Sequence, residues 1–145
     1  MTKHDIHPGY LELRPFAFYD AQGRIHGTGI QGWKASEENC PKGQSVLFAD
    51  ADRMLDYVDT SSGEPIVTKR PVFDGVFGPA SVPVETEATL PGLPACTITY
   101  EGPESGSHEH EGGDLVVGFT SPGDYTLTCE PFPYLPATLT LTVTA

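Results

Sequence analysis

The feature that most constrains the fold of this chain is an alternation of apolar and polar residues, repeated in short stretches over its second half. In residues 81–90 the apolar or small side chains fall on one parity, and Glu85 and Glu87 fall on the other. Residues 96–100, 125–129 and 138–144 show the same period of two, and residues 114–119 are almost continuously apolar. Successive side chains of a β-strand point to opposite faces, so each stretch predicts a strand.

Turn-forming residues separate these stretches. The segments LPGLP at 90–94 and SPGDY at 121–125 predict turns, because proline cannot donate to a strand ladder and glycine tolerates positive φ. Short strands rich in β-branched residues, with a turn every 8–12 residues or so, are typical of antiparallel sandwiches. We therefore predict an immunoglobulin-like antiparallel β-sandwich over residues 80–145.

The first half of the chain also favours strands, although less regularly. Residues 10–19 and 24–29 flank the turn sequence DAQG and predict a β-hairpin, and residues 57–59 and 65–69 predict a second one. A short strand is expected at 45–48, and single helical turns within 34–43 and 50–56. The fold class is therefore all-β, with an N-terminal β-hairpin module over residues 1–79 before the sandwich.

Charge is distributed unevenly along the chain. All eight Lys and Arg residues lie at or before Arg70, whereas residues 71–145 contain ten acidic residues and no basic one. Ten of the fourteen prolines also lie at or after Pro71. This step marks a candidate boundary between modules, with residues 70–79 as the connector, and a fragment of about residues 78–145 is expected to fold by itself.

The overall composition excludes several classes of function. A formal net charge of −12 argues against nucleic acid and anionic membranes as partners. The N-terminal sequence has no apolar signal-peptide core, and no apolar run approaches the ~20 residues of a membrane helix. We expect synthesis in a cytoplasm, where the three cysteines Cys40, Cys96 and Cys129 remain thiols, with a Cys96–Cys129 disulfide as the alternative.

No arrangement of residues predicts catalysis, a metal or a cofactor. His108 and His110 would share one face of a strand and could ligate zinc, but their glycine-flanked sequence favours a solvated loop. The spacing of Asp50, Asp52 and Asp56 lacks the glycine of a calcium loop. Neither a GxSxG elbow nor a phosphate-binding loop is present. We therefore expect no catalytic, cofactor-binding or metal-binding residues.

Two groups of aromatic residues are the candidate partner-binding residues. Phe132 and Tyr134 lie in the proline-rich segment 131–136, which predicts either a crossover between sheets or an exposed, partner-binding edge. Phe16, Phe18 and Tyr19 lie on the first predicted hairpin. Packing within the hairpin is one role for them, and an aromatic platform for carbohydrate is another.

An ordered series of short motifs runs through most of the chain: Gly27–Thr28–Gly29, Gly43–Gln44–Ser45–Val46–Leu47, Tyr57–Val58–Asp59, Arg70–Pro71, Leu90–Pro91–Gly92–Leu93–Pro94–Ala95–Cys96–Thr97–Ile98, Pro122–Gly123–Asp124–Tyr125 and Phe132–Pro133–Tyr134–Leu135. In this order they resemble small proteins encoded among the tail and tail-fibre genes of tailed bacteriophages and prophages, which end in an immunoglobulin-like domain. The antibody-type pattern differs in two respects. Tyr125 lies four residues before Cys129 instead of two, and Trp33 lies outside the second half.

The resemblance implies a non-enzymatic structural protein of the phage virion, attached at the tail baseplate or tail-fibre region as a docking or host-adhesion module. The implied partner is a larger tail or tail-fibre protein, bound in several copies within a symmetric assembly, with a host cell-surface ligand as a further partner. Residues 1–79 would dock and the acidic sandwich would project. A tail-fibre assembly factor absent from the particle and a capsid decoration protein are the alternatives.

Overall fold

The computed structural model describes residues 6–145, and residues 1–5 of the predicted N-terminal module lie outside them. The chain forms two compact units, the first ending at Arg70 and the second comprising Pro71–Ala145. Strands account for 48% of the residues and helices for 7%, so the predicted all-β class is confirmed. Residues 71–79, assigned from the sequence to the first module, lie in the second unit, because Phe77 is buried in its core and Gly78 pairs with Thr89.

The first unit is built from two antiparallel hairpins and a short helix. Its elements are a 3-10 turn (Pro8–Tyr10), β1 (Leu13–Tyr19), β2 (Ile25–Gly32), α1 (Trp33–Asn39), β3 (Ser45–Leu47), β4 (Asp56–Asp59) and β5 (Ile66–Lys69). One sheet has the order β2-β1-β3, and β4 and β5 form the other. Both predicted hairpins, the short strand and the first helical turn are present.

Asp20 organises the turn between β1 and β2. Its Oδ1 accepts hydrogen bonds from the backbone N–H groups of Gln22 and Arg24, both at 3.0 Å. At the end of this turn, Gly23 accepts a 2.8 Å hydrogen bond from the N–H of Val58 in β4. The two hairpins are therefore joined, and they bury a small core of Ala17, Ile25 and Val58.

The second unit contains two sheets. Its strands are β6 (Ser81–Pro83), β7 (Ala88–Leu93), β8 (Cys96–Glu101), β9 (Gly106–His110), β10 (Gly113–Val117), β11 (Gly123–Cys129) and β12 (Ala137–Thr144). The larger sheet has the order β6-β12-β11-β8-β9, and the smaller one pairs β10 with β7. All these pairs are antiparallel except β6 with β12. Apolar side chains from both sheets form one core.

The predicted single strand at 81–90 is wrong, since it is divided between the two sheets. β6 ends at Pro83, and Glu85 takes a left-handed φ of 59°. The N–H of Thr86 donates to the carbonyl of Pro83, and that of Glu85 donates to the carbonyl of Phe119. This turn directs the chain from the larger sheet into β7. Because the turn does not interrupt the alternation of apolar and polar residues, the sequence pattern could not predict it.

The predicted turn at 90–94 is also wrong, because Leu90–Leu93 is the second part of β7. The N–H of Thr89 bonds to Gly78 on the side of β7 away from β10. Alternation places the nitrogen of Pro91 on that same side, so the proline removes no hydrogen bond from the β7–β10 ladder. The ladder accommodates the segment with a bulge between Gly113 and Leu115.

Two further segments differ from prediction. The histidine-rich stretch predicted as a loop forms β9, because its backbone pairs with β8 over five residues. Gly112 and Gly113, both with positive φ, form the turn that follows it. Residues 131–136 connect β11 with β12 in the same sheet, so they form a hairpin loop and the predicted crossover between sheets is wrong.

Candidate partner-binding surfaces

The aromatic residues predicted on the first hairpin are packed rather than displayed. The rings of Phe16 and Phe18 contact each other with centroids 4.8 Å apart. They cover the glycines of β2, since a Cβ atom at Gly29 would lie 3.0 Å from Phe16 Cε1. Tyr19 is half-buried against the core of the first unit. The structure thus places none of the three as a fully exposed platform.

An apolar patch that the sequence reasoning missed lies on the same hairpin. Leu13 and Pro15 share one face of β1, and Ile30 of β2 lies directly opposite Pro15. Leu13 is 67% exposed and Ile30 is 70% exposed. We call Leu13, Pro15 and Ile30 the hairpin patch. The sequence did contain a signal for this patch. Leu13 and Pro15 alternate in step with Ala17, so they lie on the same face of β1 as that buried residue.

The opposite face of this hairpin end is fixed by Arg14. Its guanidinium lies 5.7 Å from the ring centre of Trp33 and 5.8 Å from that of Phe48. A Cβ atom at Gly9 would lie 2.6 Å from Trp33 Cε2, so the 3-10 turn packs closely on α1. The hairpin patch therefore lies on an ordered element that loses little conformational entropy on binding.

The second predicted aromatic group lies in the loop between β11 and β12. Phe132 and Tyr134 are both half-buried. The ring of Tyr134 meets that of Phe73 edge to face, with centroids 5.5 Å apart. The N–H of Leu135 donates to the carbonyl of Pro71 at 2.8 Å. These contacts hold the loop against the beginning of the second unit.

A cavity of about 260 Å³ lies on one side of the second unit, between β8 and β9 of the larger sheet and β10 of the smaller one. We call it the side cavity. Its lining includes Ile98, Leu115, Leu127, Phe119, Ser107 and His108. Ser107 and His108 are exposed, whereas the first four residues are buried. Alternation in a strand that seemed to be a polar loop is what brings His108 to this cavity, whose lining combines buried apolar side chains with exposed polar residues.

The two histidines of β9 do not act together. His110 is 8% exposed, and its Nε2 lies 3.0 Å from the carbonyl oxygen of Leu93 and 3.1 Å from that of Gly113. Because both neighbours are acceptors, Nε2 carries a proton and His110 ties β9 to the smaller sheet. His108 is exposed beside the side cavity. Among residues 6–145, no group of three or more His, Cys, Asp and Glu side chains is placed to hold a metal ion.

Two of the three aspartates near residue 50, Asp52 and Asp56, accept hydrogen bonds from backbone N–H groups of the same segment. Asp52 Oδ1 accepts from the N–H groups of Met54 and Leu55 at 2.8 and 3.1 Å. Asp56 Oδ2 accepts from the N–H of Asp52 at 2.8 Å. These hydrogen bonds close a turn of the backbone in the segment where a helical turn was expected. The carboxylates of Asp52 and Asp56 therefore stabilise this turn.

Glu104 joins the loop after β8 to the loop after β10. Its Oε2 accepts hydrogen bonds from the N–H of Ser121 at 3.0 Å and the N–H of Thr120 at 2.9 Å, and from the hydroxyl of Tyr125 at 3.4 Å. The N–H donors of Ser121 and Thr120 lower the pKa of Glu104 below its ordinary value, because they stabilise the carboxylate.

Cys96 and Cys129 are neighbouring free thiols, with no disulfide between them. Burial, with the adjacent Cys129, raises the pKa of Cys96 to about 11. Burial also raises the pKa of Cys129. Both thiols therefore carry less thiolate at neutral pH than an ordinary cysteine.

No family model, curated protein or solved structure matches this chain. No helix within residues 6–145 has the length and apolar character needed to cross a membrane.

Proposed function

We propose that this protein is a non-enzymatic structural component of a bacteriophage virion, attached at the tail baseplate or tail-fibre region. The observation that carries the proposal is the contrast between the two units. The unit ending at Arg70 is nearly neutral and displays the hairpin patch, whereas residues 71–145 contain ten acidic residues and no basic one. Apolar patches rimmed by polar residues are typical docking surfaces, and the ordered motifs that resemble tail proteins run through both units.

We further propose that the second unit is an immunoglobulin-like sandwich. Two sheets cover one core, and β6 runs parallel to the last strand. The hydroxyl of Tyr125, near the start of β11, donates to the carbonyl of Ser121 at 2.8 Å. This bond has the form of the tyrosine corner found in immunoglobulin-like domains. It supports the proposal although Tyr125 lies four residues before Cys129.

In this proposal the hairpin patch contacts a larger tail protein, and the acidic unit is presented to the surroundings as a docking or host-adhesion module. Several copies on a symmetric tail ring would add their contacts, so that weak single contacts suffice for retention. The chain is synthesised in the host cytoplasm and then becomes part of the virion.

Quantitative mass spectrometry of purified phage particles tests the proposal. We expect a handful to a few dozen copies per particle, scaled to a known ring protein. Hundreds of copies would favour a capsid decoration protein. Complete absence would contradict the virion role and would favour a tail-fibre assembly factor.

A pair of variants tests the surface separately. Ile30→Glu places a charge in the hairpin patch and is expected to reduce incorporation by about tenfold or more. Met54→Glu, at another exposed apolar residue of the same unit, is the matched control and is expected to be incorporated normally. Equal incorporation of the two variants would exclude the hairpin patch as the docking surface.

A further inference from the structure

The side cavity lies between two strand edges. β9 is the last strand of the larger sheet, and β10 forms one side of the two-stranded sheet. Within residues 6–145 no further strand pairs with the outer edge of either one. Unpaired edges present backbone donors and acceptors that another chain can use.

The pairing of β7 identifies which atoms of β10 face outward. The N–H and carbonyl of Thr89 bond to Gly78, at 3.1 and 2.8 Å, and therefore face away from β10. In an antiparallel ladder the bonded residues alternate, so the flanking residues of β7 bond to Leu115 and Val117. The N–H and carbonyl of Val116 consequently point to the outer edge, where its side chain is 49% exposed.

The size and lining of the side cavity suit one apolar side chain. A strand added beside β10 would direct alternate side chains towards the space between the sheets. The floor is formed by Ile98, Leu115 and Leu127. A volume of about 260 Å³ lies below the ~300–1,000 Å³ of most small-molecule sites. The combination of a bonding edge and a small cavity with an apolar floor therefore favours an extended peptide over a free small molecule.

Charge selects the occupant of this edge. The second unit has no Lys or Arg. Asp114 lies at the beginning of β10, and Glu104 is bonded to Thr120 just after its end. A second copy that paired through the same edge of its own second unit would bring the same negative charges and be repelled, whereas basic side chains would be attracted.

We propose that the outer edge of β10 accepts an extended segment of a partner protein, with one apolar side chain in the side cavity and Lys or Arg on both sides of it. The segment pairs with the N–H and carbonyl of Val116 and extends the two-stranded sheet by one strand. This site goes beyond the proposed virion role and is tested on the purified chain, so the two proposals can fail separately.

The test titrates the full chain with a synthetic heptapeptide in which lysines alternate with leucine or valine, up to about 1 mM. Amide hydrogen exchange and chemical shifts are measured by NMR. We expect exchange of the Val116 amide to slow, while the Leu115 and Val117 amides, already bonded to β7, change little. The same peptide with glutamate in place of lysine is expected to bind at least about tenfold more weakly.

Variants separate the edge from the rest of the surface. Val116→Pro removes only the outward donor and is expected to weaken binding about tenfold or more, whereas Val116→Thr keeps the N–H and binds normally. If Val116→Pro fails to fold, His108→Trp narrows the side cavity, because His108 lies opposite the buried Ile98 and shares its face. This variant is expected to weaken binding similarly. Its control, Thr140→Trp, lies on an exposed position of β12.

Three results would overturn the proposal. The first is absence of binding, or equal binding of the lysine and glutamate peptides. The second is unchanged binding to both Val116→Pro and His108→Trp. The third is a peptide-free dimer that Val116→Pro dissociates, which would make a second copy the occupant.

Discussion

At the scale of single residues, Glu104 connects two loops through its charge. Its pKa in the folded chain lies below the ordinary value of 4.5 because the N–H groups of Ser121 and Thr120 stabilise the carboxylate. The stabilising contribution is therefore complete above about pH 4.5 and is lost as the pH falls through the folded-state pKa.

We expect Glu104→Gln to lower the free energy of unfolding at pH 7 and to reduce its dependence on pH below 4.5. Urea denaturation at several pH values measures both effects. Glu101→Gln, at an exposed strand end of the same unit, is the control and is expected to retain the wild-type acid dependence. An unchanged acid profile in Glu104→Gln would show that other carboxylates carry it.

Phe119 is a second residue with a specific packing role. Its ring stacks on that of Tyr125, with centroids 3.8 Å apart, and lies 5.5 Å from that of Tyr100. We expect Phe119→Ala to reduce the free energy of unfolding by about 3 kcal/mol in urea denaturation. The exposed Val72→Ala is expected to change it by less than about 0.5 kcal/mol. A similar small effect in both variants would contradict the assigned packing.

The Cys96 thiol provides a chemical prediction. With a pKa of about 11, it carries far less thiolate at pH 7 than an ordinary cysteine. We expect its alkylation by iodoacetamide to be about 10- to 100-fold slower than that of a cysteine peptide, since lower thiolate content outweighs higher nucleophilicity. Mass spectrometry of timed digests measures the rate. A rate equal to that of the peptide would show that Cys96 is accessible as thiolate.

At the scale of elements, the turn between β1 and β2 is tied to β4. Gly23 has a φ of 88°, and a Cβ atom there would lie 2.0 Å from the carbonyl oxygen of Val58. Gly63 has a similar φ of 96° with nothing within 4 Å. Both glycines therefore need a positive φ, and they differ only in that a side chain at Gly23 would collide with the backbone of Val58.

We expect Gly63→Ala to cost about 1 kcal/mol and Gly23→Ala about 2–4 kcal/mol of unfolding free energy. Fluorescence of the single tryptophan, Trp33, reports on the unit that contains both glycines. Equal destabilisation would show that the joint between the hairpins contributes nothing beyond the two φ values.

The individual elements were more predictable than their pairing. The DAQG turn and the flanking residues predict the first hairpin, and an aspartate that bonds the turn backbone explains why. The break at Glu85 was missed, because a single left-handed residue leaves the alternation unchanged. β9 was missed for the opposite reason, since its polar, glycine-flanked sequence is held in a strand by pairing with β8 and by the buried His110.

At the scale of the whole molecule, the second unit begins earlier than residue 78. Phe73 and Phe77 pack against its core, and Gly78 pairs with Thr89. We expect a fragment of residues 71–145 to unfold cooperatively, and one of residues 78–145 to be less stable by about 3–5 kcal/mol. Far-UV circular dichroism in urea measures both, since neither contains tryptophan. A non-cooperative transition in the longer fragment would show that the first unit completes its core.

The candidate binding surfaces could not be predicted from local sequence patterns either. Phe16, Phe18, Tyr19, Phe132 and Tyr134 were selected for their type and position, and the structure buries each of them at least partly. Leu13 and Ile30 come together as a patch only because β1 and β2 pair in one particular register. The side cavity is formed by residues as far apart as Ile98 and Leu127, so no stretch of sequence displays it.

The sequence by itself determined the all-β class, the two hairpins of the first unit and the step in charge after Arg70. Those features depend on neighbouring residues, through strand alternation, turn chemistry and composition. Only the tertiary structure decided that β6 pairs with β12, that β7 pairs with β10, and that one side of the second unit is open. Those outcomes depend on hydrogen bonds and packing between distant residues, which alternation with a period of two permits in many combinations.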